Sequence, residues 1–335
     1  MKQSNQAAFF MMNKIALIYM GGTFGCIGEP LAPMPELEFF QQLQKVLPAQ
    51  TEITCFSAAM IKDSSACSAA DWLLLIQQIQ QLQLQDYNRF VIIHGTDTLS
   101  YATATLARFL QQSSHIIFTG SQFPLLNTAG TKLREFSDAY DNLKTALQYI
   151  QDIPAGVYLA FNHKLLHGSS VHKLHSTDLN AFFGLDHLQA LSNENSNAMG
   201  VTEQHIERIR QLDLLNLSLR PIESAQFHKQ LEHLLAQPPE VLILQAYGTG
   251  NLAMTDEILQ LLEQLSQKDC RIILDSQVPF GGLDQRYAVS QWVKNSQVLV
   301  NDTQSHADLY AKIVKMYLQY PTADQWQLHW YDHSQ

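Results

Sequence analysis

One rhythm constrains this chain more than any other feature. Short apolar runs recur at Ile15–Met20, Phe90–His94, His115–Thr119, Gly156–Phe161, Val241–Ala246 and Arg271–Asp275. Each is too short for a helix and is bounded by polar or turn-forming residues, so each reads as a buried strand. Between them lie segments of helical period, among them "ADWLLLIQQIQQL", "LSYATATLARFLQQ" and "EFSDAYDNLKTALQYI", each long enough to cross back over a sheet. Strand, helix and strand in that alternation predict an α/β fold with a mainly parallel sheet. At 335 residues the chain exceeds the size at which one core usually stops growing, so two domains are expected. The stretch around Leu191–Glu223 is more polar and loses the strand rhythm. The expected division is therefore 1–195, a connection over 196–222, and 223–335.

Charge narrows the partners. Lys and Arg number 21 against 31 Asp and Glu, and the net charge of −10 repels phosphate backbones and anionic headgroups. Neither a nucleic acid nor a membrane is expected as a partner. Cys26, Cys55, Cys67 and Cys270 form no CxxC pair and no dense disulfide framework, which suits a reducing, cytoplasmic compartment. The opening "MKQSNQAAFFMMNKIALIYM" superficially resembles a secretory signal, but Asn13 and Lys14 interrupt it and no small-residue cleavage site follows. The runs in "QQIQQLQLQ" read as solvated helix faces.

Ligands in parallel α/β sheets gather at the carboxyl ends of strands, so the residues just after each run carry the functional signal. After the first run, "MGGTFG" offers Gly21 and Gly22 for a sharp turn and presents Thr23 beyond the strand. Neither GxGxxG nor GxxxxGK[ST] is present, which disfavours a phosphate loop. The second, "VIIHGTDTLSYATATL", ends in His94 and Gly95, then offers Thr96, Asp97 and Thr98 before a helix. These residues suit a helix cap, and equally the binding of a substrate amine beside a nucleophile or water. In "KDSSACSAADW", Asp63, Ser64 and Ser65 precede a helix capped by Ser68 or Asp71, and their hydroxyls suit a carboxylate or a plain loop. In "FNHKLLHGSSVHKLHSTDLNAF", His163, His167, His172 and His175 surround Lys173 without metal-ligand spacing, so they read as solvated side chains and no metal is expected. No GxSxG elbow appears, which leaves threonines as the available nucleophiles.

The set "YMGGTFG", "DSS", "HGTDTL", "TGSQFP", "SDAYDNL" and the Lys173 loop, in that order and spacing, resembles the bacterial L-asparaginase family, specifically its cytoplasmic type I branch. The resemblance implies a larger N-terminal flavodoxin-like parallel-sheet domain, a smaller C-terminal α/β domain and a homotetramer of intimate dimers. It further implies hydrolysis of the side-chain amide of L-asparagine to L-aspartate and ammonia with no cofactor. Thr23 resembles the threonine of the family's first motif, Thr96 and Asp97 its "HGTDT" pair, and Lys173 the lysine that joins them. Ser64 and Ser65 fall where the family binds the substrate's α-carboxylate and amine, with Asp97 contributing to the amine. The backbone groups of Gly22 and Thr96 are then oxyanion donors. In "AYGTGN", Asn251 resembles a residue supplied by the neighbouring subunit.

On that reading the first strand carries Thr23 to the sheet edge to attack an amide, and a lysine nearby accepts the proton only in its amine form. The segment "GTFGCIGEPLAPMPELEFF" departs from the family: it is short and lacks the tyrosine usual in the flexible flap. Tyr19 belongs to the strand instead, and Glu29 between Gly28 and Pro30 reads as a surface turn. The link "PLLNTAGTKLREFSDAYDNL" is longer than usual. Glutaminase or amidotransferase-subunit activity and a non-catalytic amino-acid-binding role stay open as alternatives. One methylene separates the two amide substrates, a difference that pockets read by only ~1–3 kcal/mol.

Overall fold

The computed structural model describes residues 14–189, 198–284, 292–294 and 296–332. The signal-like opening up to Asn13 and the start of the polar stretch, 190–197, lie outside the described residues. Strand β1 (Ile15–Tyr19) runs into a small hairpin of β2 (Cys26–Ile27) and β3 (Ala32–Pro33), then α1 (Glu36–Val46) and β4 (Ile53–Ser57). There follow α2 (Ala69–Gln83), β5 (Arg89–Ile93), α3 (Leu99–Leu110), β6 (His115–Thr119), α4 (Ala139–Tyr149), β7 (Gly156–Phe161) and β8 (Lys164–His167). They build a six-stranded sheet in the order β4-β1-β5-β6-β7-β8, parallel except for β8. With the small hairpin set aside, the parallel strands follow the flavodoxin-like order, whose switch point lies between β1 and β5. Ile15 pairs with Arg89 and Tyr19 with Ile93, so the two carboxyl ends finish level.

The central strands are buried on both faces, which is why they read as continuous apolar runs. The edge strand β4, "ITCFS", is only half-buried and mixes polar with apolar residues, and its sequence carries no such run. Asn162 and His163 join β7 to antiparallel β8, both with positive φ, as a tight hairpin turn requires.

Beyond the sheet come the short antiparallel pair β9 (His172–Lys173) and β10 (Phe182–Phe183), then α5 (Glu203–Ile209). A second, wholly parallel sheet follows, made of β11 (Leu214–Ser218), β12 (Val241–Ala246), β13 (Arg271–Ser276) and β14 (Leu299–Val300), in that order. Helices α6 (Ser224–Ala236), α7 (Asp256–Gln267), α8 (His306–Gln319) and α9 (Ala323–His329) complete the described chain. The stretch 196–222 is thus not a bare connection, because it holds α5 and the first strand of the second sheet. That strand, "LLNLS", is again a half-buried edge.

Helix α8 is buried almost all round, from Ala307 to Leu318, because it packs on α3 and closes the second sheet. One apolar cluster runs from Ile116 and Phe118 of the first sheet through Ile313 and Val314 of α8 to Val241 and Ile273 of the second. The seam also carries a bidentate Arg108–Asp308 pair, with distances of 2.5 and 2.9 Å. The α2 glutamines are less solvated than their sequence suggests. Gln80 bonds the Met199 carbonyl and the Val201 amide, and Gln78 bonds the Ser57 carbonyl, so they tie α2 to its neighbours.

Candidate active site

The loop after β1 turns at Gly21 and Gly22, with φ of 101° and 84°. A Cβ on Gly22 would lie 2.4 Å from the Cα of Gly95, so the loops after β1 and β5 touch backbone to backbone. Only glycine permits both that conformation and that approach. Thr23 opens a single 3-10 turn, Thr23–Gly25, and is half-buried. Among the described residues its hydroxyl has no hydrogen-bond partner, which leaves it available at the sheet edge. Tyr19 stays in the strand as expected: it is 2% exposed, packed on Phe39, with its hydroxyl wedged against Gly25. Burial raises this phenol far above its ordinary value and keeps it protonated.

The loop after β5 is held from below. His94, fully buried, accepts from Trp72 Nε1 at 3.2 Å through Nε2 and donates from Nδ1 to the Gly95 carbonyl at 2.7 Å. Desolvation pushes its pKa down to about 4, so it is a neutral strut. Beyond it, Lys173 Nζ reaches Thr96 Oγ1 at 3.0 Å and Asp97 Oδ1 at 2.8 Å. The lysine side chain is 16% exposed and the Asp97 side chain 61%, so the ion pair faces solvent from the carboxylate side.

Ser64 is buried, and its hydroxyl accepts from the Asp97 amide at 3.2 Å while its carbonyl accepts from Thr98 Oγ1 at 2.7 Å. It joins the third loop to the second. Ser65 is exposed and turns back to Asp63 Oδ1 through both its amide (2.8 Å) and its hydroxyl (2.6 Å). Those bonds hold the Asp63 carboxyl below the usual range. Ser68 is the cap of α2, and Asp71 completes its capping box, accepting from the Ser68 amide at 2.7 Å and pairing with Lys62 at 2.8 Å.

Three supporting residues escaped the sequence reading, although the motifs contained them. Asp138 accepts from the amides of Gln122 and Phe123, and Asn142 donates to the Gly120 carbonyl at 3.0 Å. Gln122 in turn donates to the carbonyls of Ser176 and Asp178, which anchors the segment beyond Lys173. The i, i+4 spacing of Asp138 and Asn142 at the start of α4 was the available signal.

The structure brings Lys173 to Thr96 and Asp97 and Ser64 to Asp97, and sets Gly22 against Gly95 beside them, with Thr23 the next residue in the chain. Asn251 belongs to a different loop. It lies after β12, bonded to Tyr247 and Thr249 in the second sheet's loop. Two of the histidines are not solvated: His167 and His172 are 8% and 7% exposed, folded inward by β8 and β9. His167 Nε2 bonds the Gln189 carbonyl. Glu29 is exposed, and among the described residues no group of three His, Cys, Asp or Glu side chains gathers as a metal site.

At the β1/β5 switch point, where parallel α/β sheets bind their ligands, the structure gathers the Thr96 hydroxyl and the Lys173–Asp97 pair. The family model described as "Asparaginase, N-terminal" matches residues 14–205, and the chain belongs to the asparaginase family. It is 28% identical over 275 residues to L-asparaginase 1 of Escherichia coli (strain K12), covering 77% of this chain and 78% of that one. Among solved structures it resembles the thermostable L-asparaginase from Thermococcus kodakarensis, with a TM-score of 0.77 and 21% identity over 94% of this chain and 96% of that one. L-asparaginase I from Vibrio cholerae gives a TM-score of 0.75 and 22% identity over 96% and 97%. The α/β fold is thus shared along nearly the whole length.

Proposed function

We propose that this protein is an L-asparaginase that hydrolyses the side-chain amide of L-asparagine through a Thr23 nucleophile. The observation that carries the reading is the Lys173–Thr96–Asp97 contact, set beside an unbonded Thr23 hydroxyl at the β1/β5 switch point. Thr23 Oγ attacks the amide carbon and its proton passes toward Thr96 and Lys173. The carbonyl oxygen takes up negative charge facing the backbone amides of Gly22 and Thr96. The C–N bond breaks as the nitrogen gains a proton, ammonia leaves, and water cleaves the Thr23 ester to release aspartate. Asp97 holds the substrate ammonium, with Ser64 and Ser65 near its carboxylate.

We further propose a homo-oligomer in which Asn251 serves the neighbouring subunit's site. Its position in the second sheet, outside the Thr23 cluster, supports that arrangement. Four unpaired cysteines support a cytoplasmic setting, and among the described residues no helix is long and apolar enough to cross a membrane. The test is ammonia release by metal-free protein, with kcat/KM for L-asparagine expected to exceed that for L-glutamine. Equal or higher efficiency on L-glutamine sinks the substrate assignment. Binding of aspartate without turnover of either amide sinks the catalytic one.

A further inference from the structure

Two segments stand out by length in the sequence, the short one after Thr23 and the long link "PLLNTAGTKLREFSDAYDNL" after β6, and the structure lays one against the other. The link folds into a tight hairpin, in which Leu126 bridges Leu133 antiparallel and the Arg134 amide donates to the Leu125 carbonyl at 2.9 Å. Asn127 closes its tip. The side-chain oxygen accepts from the Thr131 amide at 2.9 Å and the Lys132 amide at 3.3 Å, and the carbonyl accepts from the Gly130 amide at 2.8 Å. At the hairpin base the Leu125 amide donates to the Phe24 carbonyl at 3.0 Å, within the turn that carries Thr23. At the tip the Gly28 amide donates to the Thr128 carbonyl at 3.1 Å. Gly130, with φ 69°, lies so near that a Cβ there would stand 3.3 Å from Met34 Cε and 3.5 Å from Ile27. Phe24, Met34, Leu125 and Leu126 are buried together in one apolar cluster. Three residues before Leu125, Gln122 Nε2 donates to the Ser176 and Asp178 carbonyls at 3.4 and 3.1 Å, in the loop that follows Lys173.

We propose that the stretch 122–134 is a double clamp for the amide hydrolysis, with Gln122 and Asn127 as positioning residues: it fixes the turn carrying Thr23 and the segment carrying Lys173 relative to each other. The inference rests on the roles given to Thr23 and Lys173 above. The sheet ladder does not join the two, since β1 pairs with β4 and β5 whereas β9 pairs with β10 in a ladder of its own. The stretch after β6 bonds to both. A displacement of about 1 Å between reacting groups costs on the order of a hundredfold in rate, so a backbone hydrogen bond at the residue next to the nucleophile has something to protect. The clamp on the Thr23 side consists of backbone bonds and buried apolar contacts within the chain itself. It is therefore complete before substrate arrives, and the short segment after Thr23 is a fixed wall of the site.

Asn127→Ala removes the acceptor that closes the hairpin tip, Asn127→Asp keeps it, and Gln122→Met keeps the side-chain length without the donor. Amide hydrogen exchange reads the two clamps separately. Asn127→Ala should raise exchange about tenfold in the peptide 24–34 and leave 174–181 as in wild type, and Gln122→Met should do the reverse. Each should lower kcat on L-asparagine about tenfold with KM held within about twofold, and Asn127→Asp should restore both readouts. In wild type, saturating L-aspartate should leave exchange in 24–34 unchanged. Wild-type kcat in Asn127→Ala and Gln122→Met despite raised exchange overturns the proposal, as does unchanged exchange of 24–34 in Asn127→Ala, or strong protection of 24–34 by L-aspartate. Should Asn127→Ala not fold, Gln122→Met and the L-aspartate measurement decide. Full turnover in Thr23→Ala, or no ammonia release by wild type, breaks the functional reading instead, and the exchange readout still judges the clamp.

Discussion

The carboxyl ends of the two parallel sheets are built in opposite ways. At the first, glycines mark places where backbone meets backbone or a buried side chain. A Cβ on Gly22 would fall 2.4 Å from the Gly95 Cα, one on Gly95 2.5 Å from Ser64 Oγ, and one on Gly120 2.4 Å from the His94 carbonyl oxygen. At the second, among the described residues a Cβ on Gly248, Gly281 or Gly282 meets nothing within 4 Å, and only one on Gly250 is crowded, 2.7 Å from the flexible end of Leu283. The apolar side chains of Tyr247, Val278 and Phe280 there stand 37%, 46% and 54% exposed. Reacting groups gain from being fixed before substrate arrives, and close packing of short loops fixes them. The tight end therefore suits the proposed chemistry, and the open end suits the proposed contact with a neighbouring subunit.

The largest effect expected from this contrast is on turnover. Thr23→Ala and Lys173→Met should each lower kcat by a factor of about 1000 in folded protein, and the double variant should lose little more, because the residues act as one unit. Steady-state ammonia release checks this, and multiplicative losses would mean that the two residues serve separate steps. Next in size is the packing itself. Gly22→Ala places a side chain at φ 84° against the Gly95 backbone. Strain and overpacking together should cost about 3–5 kcal/mol, read as a lowered denaturation midpoint. A variant of near-normal stability would show that the tight end yields, and the comparison would fail.

Much of this was legible in the chain. β5, β6, β7, β12 and β13 are buried on at least one face along their length, and their continuous apolar runs placed them to within a residue. β4 and β11 escaped because edge strands expose one flank and mix their residues, so no run marks them. The family resemblance, not the local loop residues, had Lys173 joining Thr96 and Asp97, and the three side chains do meet although 76 residues separate Asp97 from Lys173. The Gly22–Gly95 contact could not be read, since nothing local encodes which two turns will touch. His167 and His172 were misjudged for a related reason: polarity predicts solvation only until another element covers the residue.

A third effect is graded with pH. His94 supports the tight end as a neutral ring whose pKa is held at about 4, well below the unfolded value of about 6.5. Between those values the unfolded chain binds a proton that the folded one refuses. Stability should therefore fall as pH drops through that window, by at most about 1.4 kcal/mol per unit from this residue. Urea midpoints measured from pH 7 to 4 should show a shallower slope in His94→Gln. An identical slope would assign the acid loss to other groups and weaken the case for a rigid support beneath Gly95.

The smallest expected effect belongs to the open end and uses the same replacement as at Gly22. Gly248 has φ 48°, a left-handed conformation that alanine tolerates at a cost of about 1 kcal/mol, and its Cβ would project into free space. Its carbonyl accepts from Ser276 Oγ, a bond that needs no particular side chain at 248. Gly248→Ala should therefore lower the denaturation midpoint by only that strain and leave kcat on L-asparagine near wild type. A loss as large as that of Gly22→Ala would mean that the loop after β12 is tightly packed in the working assembly. Such packing, coupled to dilution-dependent activity, would locate the subunit contact at Gly248 itself. The open end would then be open only within a single chain.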